Sequence, residues 1–346
     1  MFSSKNTSHY LFAFGAIAVI SIIGMYSKQS FQTNDEYDLI KKYLLNESPL
    51  YGFNKPKLWI HSKYEVNSRH WKSFQSRNST DLNQPYLHLT IKTIINHCGN
   101  DFNICLIDDD TFSRLIPSWD IDLKNVAKPM RSQYREIGML QLIYYYGGMV
   151  VPNSFLCMKN LKALYLEGTA GEKPFVCERV NHTLNLAENK SKPLFLPSVY
   201  FMGAKKNDET VKELIEYLKR RSQPPHFSKE AHFTGDTSQW CAAAVRSQQM
   251  NLVDGKEIGI KSQKNKPFGL EELMEEAHLD LSPAAYGIYI PAKEILRRHK
   301  YQWFAVLPAE DVFKTNAIIA KYLMASVVDS SSEYTRSSEI RSVISI

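Results

Sequence analysis

A helical stretch that runs into two glycines and straight on into a β-branched strand leaves few folds open. Residues 140–161, LQLIYYYGGMVVPNSFLCMKNL, are such a stretch. Over 131–146 apolar groups recur at Ile137, Leu140, Ile143 and Tyr144 with Arg135 and Glu136 off the stripe, which predicts a helix. Gly147 predicts its end, because glycine takes the left-handed conformation beyond a helix at little cost, and Gly148 lets the chain turn into the strand Met149-Val150-Val151. Pro152 closes that strand and leaves Asn153 and Ser154 at its carboxyl end, where open α/β sheets hold their ligands.

Other segments fit the same architecture. Residues 55–61 read as the first strand of the domain, with His61 either facing a ligand at its end or simply hydrogen-bonded at the surface. Residues 86–98 have helical spacing, and 102–107 form a second buried strand that runs into Asp108-Asp109-Asp110. Asp108 and Asp110 form the best pair of oxygen ligands for a divalent cation such as Mg²⁺ or Mn²⁺. The same acids also suit the first turn of a helix over 111–115. Residues 165–192 are polar and irregular and read as an exposed insertion, 198–204 as a strand, and 208–221 as an amphipathic helix. Asp236 reads as the N-cap of a helix over 240–245, and 285–290 as a late strand before Pro291.

The expected domain, 53–325, follows a nine-residue tail, an apolar run at 10–26 and a polar stem at 27–52, and precedes a Ser-, Glu- and Arg-rich tail at 326–346 that reads as disordered. The run YLFAFGAIAVISIIGMY is uncharged and just long enough to cross a bilayer, so it reads as a single-pass signal anchor; a cleaved signal peptide is the competing reading. With the amino end cytosolic, a type II layout, the main domain faces the lumen of the secretory pathway, the exterior or a virion surface. Asn46, Asn78, Asn181 and Asn189 stand in glycosylation triplets compatible with that topology. Five cysteines show no metal-site spacing, and their odd number leaves at least one unpaired. The net charge of +6 is spread along the chain without a basic stripe interleaved with aromatics, which argues against nucleic acid as a partner.

The order helix, Tyr-Gly-Gly, hydrophobic strand, polar cluster resembles glycosyltransferase family 32, the DXD-containing sugar transferases, and the related capsular polysaccharide synthesis proteins. The match is specific at Tyr144, Tyr146, Gly147 and Gly148. The resemblance implies a GT-A fold, a mixed sheet flanked by helices that takes a nucleotide sugar and a divalent metal and transfers the sugar to a glycan or glycoprotein acceptor. It implies donor contacts at His61, Arg135, Glu136, Gly147, Gly148, Asn153 and Ser154. Glu136 stands where the family has a helix Asp, Met139 replaces its Arg, and Pro152 and Ser154 occupy the two DXD carboxylate positions. The chain is also similar to membrane-anchored proteins of large DNA viruses. Two functions follow: a transferase that replaces the metal with side-chain cations, or a catalytically silent domain that binds a glycan or protein or serves as a structural component at a membrane.

Overall fold

Lys57–His61 (β1) alternates no polarity, and its first four residues are all buried, as a strand covered on both faces requires. The computed structural model describes residues 55–62, 84–181, 193–222 and 230–327. The amino-terminal tail, the apolar run, the stem, Asn46, Asn78, Asn189 and the chain beyond 327 lie outside these residues. The order continues with α1 (Tyr86–Cys98), β2 (Asn103–Ile107), α2 (Thr111–Leu115), α3 (Lys128–Tyr146), β3 (Gly148–Val150), β4 (Phe155–Cys157), α4 (Lys162–Gly168), β5 (Phe175–Val180), β6 (Phe195–Ala204) and α5 (Glu209–Arg221). Then come α6 (Glu230–Arg246), β7 (Asn251–Val253), α7 (Leu270–Met274), β8 (Gly287–Tyr289) and α8 (Ala292–Arg297), followed by further short helices and a helix over 318–327.

The main sheet has six strands in the order β2-β1-β3-β6-β5-β7, and β4 with β8 forms a separate two-stranded sheet. β1 lies parallel to both β2 and β3, whereas β6 runs antiparallel to β3 and to β5. The result is a mixed α/β sheet flanked by helices, as the helix-to-strand pattern predicts.

The Tyr-Gly-Gly turn is built by close approach. Gly147 has φ +69° and Gly148 has φ +98°, and a Cβ on Gly148 would lie 2.1 Å from the Lys57 carbonyl oxygen. Only glycine lets β3 sit that close to β1. The buried Trp59 indole donates to the Gly147 carbonyl at 3.0 Å, so the turn is also held from the neighbouring strand.

Three segments differ from the sequence reading. Phe175–Val180 is a strand of the main sheet, with Phe175, Val176 and Cys177 buried, although 165–192 reads as an insertion. Its apolar run is only three residues long between polar flanks, so long-range pairing rather than local pattern decides its conformation. The helix expected from 240 starts at Glu230 and carries Asp236 inside it, where the carboxylate meets Arg221 at 2.6 Å instead of capping an end. The last described helix runs to 327, past the expected domain end at 325.

Candidate functional site

β1 has β2 on one side and β3 on the other; the chain after β1 goes on to β2, whereas the chain after β3 leaves for the separate sheet, so a crevice opens at these strand ends. A cavity of about 800 Å³ occupies this end of the sheet. His61 at the end of β1 and Val150 to Asn153 after β3 form its floor. The first half of α3 adds Ser132, Arg135, Glu136 and Met139. Because β6 is antiparallel, its early residues overhang β3, and Leu196, Val199, Tyr200 and Met202 continue the wall. Arg179 and Asn181 from the end of β5, and Tyr289, Lys293, Glu294 and Arg297 around β8 and α8, complete it.

The predicted candidates divide between two positions. His61, Arg135, Glu136 and Asn153 line the cavity together. Gly147, Gly148 and Ser154 do not: the glycines serve the backbone turn, and Ser154 is 1% exposed behind the wall, with its Oγ lacking a hydrogen-bond partner among the described residues. Asn181 also lines the cavity, and its side-chain amide donates to the Pro193 carbonyl at 3.2 Å.

One residue that the sequence reading passed over organises the floor. The Asp109 carboxylate receives two hydrogen bonds from the Arg135 guanidinium, at 2.7 and 2.6 Å, and contacts His61 Nε2 at 3.0 Å. Burial opposes its ionisation, but the bonds from Arg135 and His61 outweigh that cost and hold the carboxyl well below its usual range. The His61 ring stacks on Phe112 with centroids 5.7 Å apart, which fixes its plane. The signal was present in the Asp108–Asp110 triplet; the residue that matters is the middle one.

Glu136 follows Arg135 on the helix and accepts from the Thr237 hydroxyl of α6 at 2.8 Å. The cavity lining carries Arg135, Arg179, Lys293 and Arg297 against Glu136 and Glu294, and with Arg135 already paired to Asp109 the remaining excess of positive charge is small. Its field favours an anionic ligand. Tyr200 and Tyr289 add a partly aromatic wall, with rings edge to face at 6.0 Å.

The donor set does not fit a divalent metal. The Pro152 side chain offers no ligand atom and its carbonyl accepts from the Phe155 N–H at 3.0 Å, while Ser154 does not line the cavity. Asp108 accepts from the Thr111 backbone N–H at 2.9 Å and its hydroxyl at 2.6 Å, closing the first turn of α2, while Asp110 pairs with Lys124 at 2.8 Å. Among the described residues no three His, Cys, Asp or Glu side chains gather as a metal would need. His299 is exposed and does not line the cavity. All five cysteines are buried free thiols.

Comparison with protein-family models finds no match, and comparison with curated proteins finds none either. Among solved structures the chain is similar to "PaToxG Glycosyltransferase" at 14% identity and a TM-score of 0.30, over 56% of this chain and 75% of that one. It is also similar to the apo-form glycosyltransferase GlyE of Streptococcus pneumoniae TIGR4, at 8% identity and a TM-score of 0.30, over 59% of this chain and 46% of that one. Likenesses this distant carry no argument about the site, which rests on its own geometry.

Proposed function

We propose that this protein is a membrane-anchored, GT-A-like glycosyltransferase that takes a nucleotide sugar in the cavity at the β1–β3 strand ends and transfers the sugar to a glycan or glycoprotein. The supporting observation is the convergence of His61, Arg135, Glu136 and Asn153, singled out by resemblance to family 32, in one cavity with an excess of positive charge.

In the reaction the acceptor hydroxyl oxygen bonds to the anomeric carbon while that carbon's bond to the diphosphate oxygen breaks. The electron pair leaves on the nucleoside diphosphate, and the hydroxyl proton passes to a base. Glu136 and Glu294 are the lining carboxylates, and the Thr237 hydroxyl holds Glu136 in place. Leaving-group charge is met by side-chain cations, because no set of carboxylates for a metal exists among the described residues. The apolar run at 10–26 is proposed as the anchor, with the main domain lumenal or external. It lies outside the described residues, among which no helix is long and apolar enough to cross a membrane.

Calorimetry of the full-length protein in detergent with UDP- and GDP-sugars, with and without Mn²⁺, tests the reading. Micromolar binding, unchanged by Mn²⁺ and lost in an E136A plus N153A double variant, is the expected result. Absence of binding to any nucleotide sugar by the folded protein rejects it. That result would favour the second reading, a silent GT-A-like domain that binds glycan or protein, for which Pro152 in the cavity floor is the specific support.

A further inference from the structure

The floor of the cavity has little positive charge to offer a phosphate. Arg135 is committed to Asp109 through its Nε and Nη2, and His61 touches the same carboxylate. The opposite wall is different. Arg179 sits on β5 next to Glu178, and the two take different partners. Glu178 accepts from the Gly255 N–H at 2.9 Å and pairs with the buried Lys261. Arg179 lines the cavity, its guanidinium carbon 5.4 Å from the Tyr200 ring centroid. Its Nε is buried yet has no hydrogen-bond partner among the described residues. Arg179 makes no ion pair among the described residues, so its charge is available to an anionic oxygen in the cavity.

Arg297 lines the same wall, on the last turn of α8. Its neighbour Arg298 is engaged elsewhere, in a two-point pair with Glu271 at 3.0 and 2.6 Å. The two lining arginines come from elements more than a hundred residues apart in sequence and converge on one cavity.

We infer that Arg179 and Arg297 form the diphosphate subsite of this cavity, supplying the positive charge against which the nucleoside diphosphate leaves. Planar, permanently charged guanidinium groups suit phosphate oxygens, which they bind in forked pairs. Tyr200, whose ring lies under the Arg179 guanidinium, lines the same cavity. The inference rests on the nucleotide-sugar reading for the identity of the ligand, but it makes a claim of its own about where a diphosphate binds.

The test is calorimetry of the full-length protein with UDP, GDP, the matching nucleosides and inorganic pyrophosphate, for wild type and for R179Q, R179K, R297Q and R298Q. Wild type is expected to bind pyrophosphate by itself and to bind one nucleoside diphosphate at least about 30-fold more tightly than its nucleoside. R179Q and R297Q should each lose about 10-fold in affinity for diphosphate ligands and leave nucleoside binding unchanged; R179K should recover part of the loss, and R298Q should behave as wild type. Arg297 is exposed, so R297Q keeps the test valid even if R179Q folds poorly.

Pyrophosphate binding that needs Arg179 and Arg297, in a protein that binds no nucleotide sugar, would uphold the subsite and reject the donor reading. Nucleotide-sugar binding indifferent to both arginines would uphold the donor reading and overturn the subsite. Failure of wild type to bind pyrophosphate or either nucleoside diphosphate also overturns the subsite.

Discussion

Arg135 and Asp109, 26 residues apart in sequence, meet in a two-point ion pair that ties the first half of α3 to the carboxyl end of β2. Both side chains are largely buried, at 13% and 19% exposure. Asp109 also holds His61, at 3.0 Å from its Nε2, so one carboxylate ties two of the cavity's lining side chains together.

Removing one member leaves the other as a half-buried charge without its partner. Asp109→Asn is expected to cost about 2–3 kcal/mol of stability, and Arg135→Met in the same background should cost little more. Chemical denaturation of the two single variants and the double variant measures this coupling; strictly additive losses would show that the contact contributes nothing specific.

The acid limit follows from the same carboxylate. Its folded-state pKa lies below the ordinary value of 3.8. The stabilisation is therefore fully present above about pH 4 and is lost as pH falls through the depressed folded value. Between pH 5 and pH 2.5 the urea midpoint of wild type should fall more steeply than that of Asp109→Asn, and parallel curves would contradict the assignment.

Gly148 is a packing constraint. Alanine there places a methyl group 2.1 Å from the Lys57 carbonyl oxygen at φ +98°. A loss of about 3 kcal/mol or failure to fold is expected, read as the melting temperature of the full-length protein. Asn153→Ala, on the cavity floor, should leave that temperature within a few degrees, about 1 kcal/mol or less, because its backbone carbonyl rather than its side chain accepts from Thr90, at 2.6 Å.

Thiol chemistry reports on the same core. All five cysteines are buried, and burial pushes the Cys105 and Cys241 thiols up to about 12. No reaction with maleimide is expected in the native protein near neutral pH, and five thiols should appear in guanidinium. A count of three would identify a bond between Cys98 and Cys157, whose sulfurs lie 3.8 Å apart.

Much of this fold was legible in the chain because its strands are short, apolar and punctuated. Gly147-Gly148, the strand before His61 and the amphipathic helix 209–221 each carry a local signal strong enough to override context. β5 does not, since three apolar residues gain their meaning only from β6 and β7 on either side. The same distinction governs the site. Arg135, Glu136 and Asn153 flank a recognisable turn, so their convergence was predictable. Arg179, Tyr200 and Arg297 reach the cavity only through the antiparallel course of β6 and the late return of α8. No spacing in the sequence announces them. Asp109 was hidden because metal chemistry favours alternate acids, whereas an ion pair uses whichever acid the strand end turns inward.

The chain leaves the cavity wall at Asn181 and re-enters it at Leu196, with Asn181 N–H bonded to the Leu194 carbonyl at 2.8 Å. Asn181 and Leu194 thus continue the β5–β6 ladder past Val180↔Phe195, so backbone pairing over its whole length sets where Arg179 and Tyr200 stand in the wall. A change of side chain at either position alters what the wall offers a ligand while the ladder that presents it stays as it is.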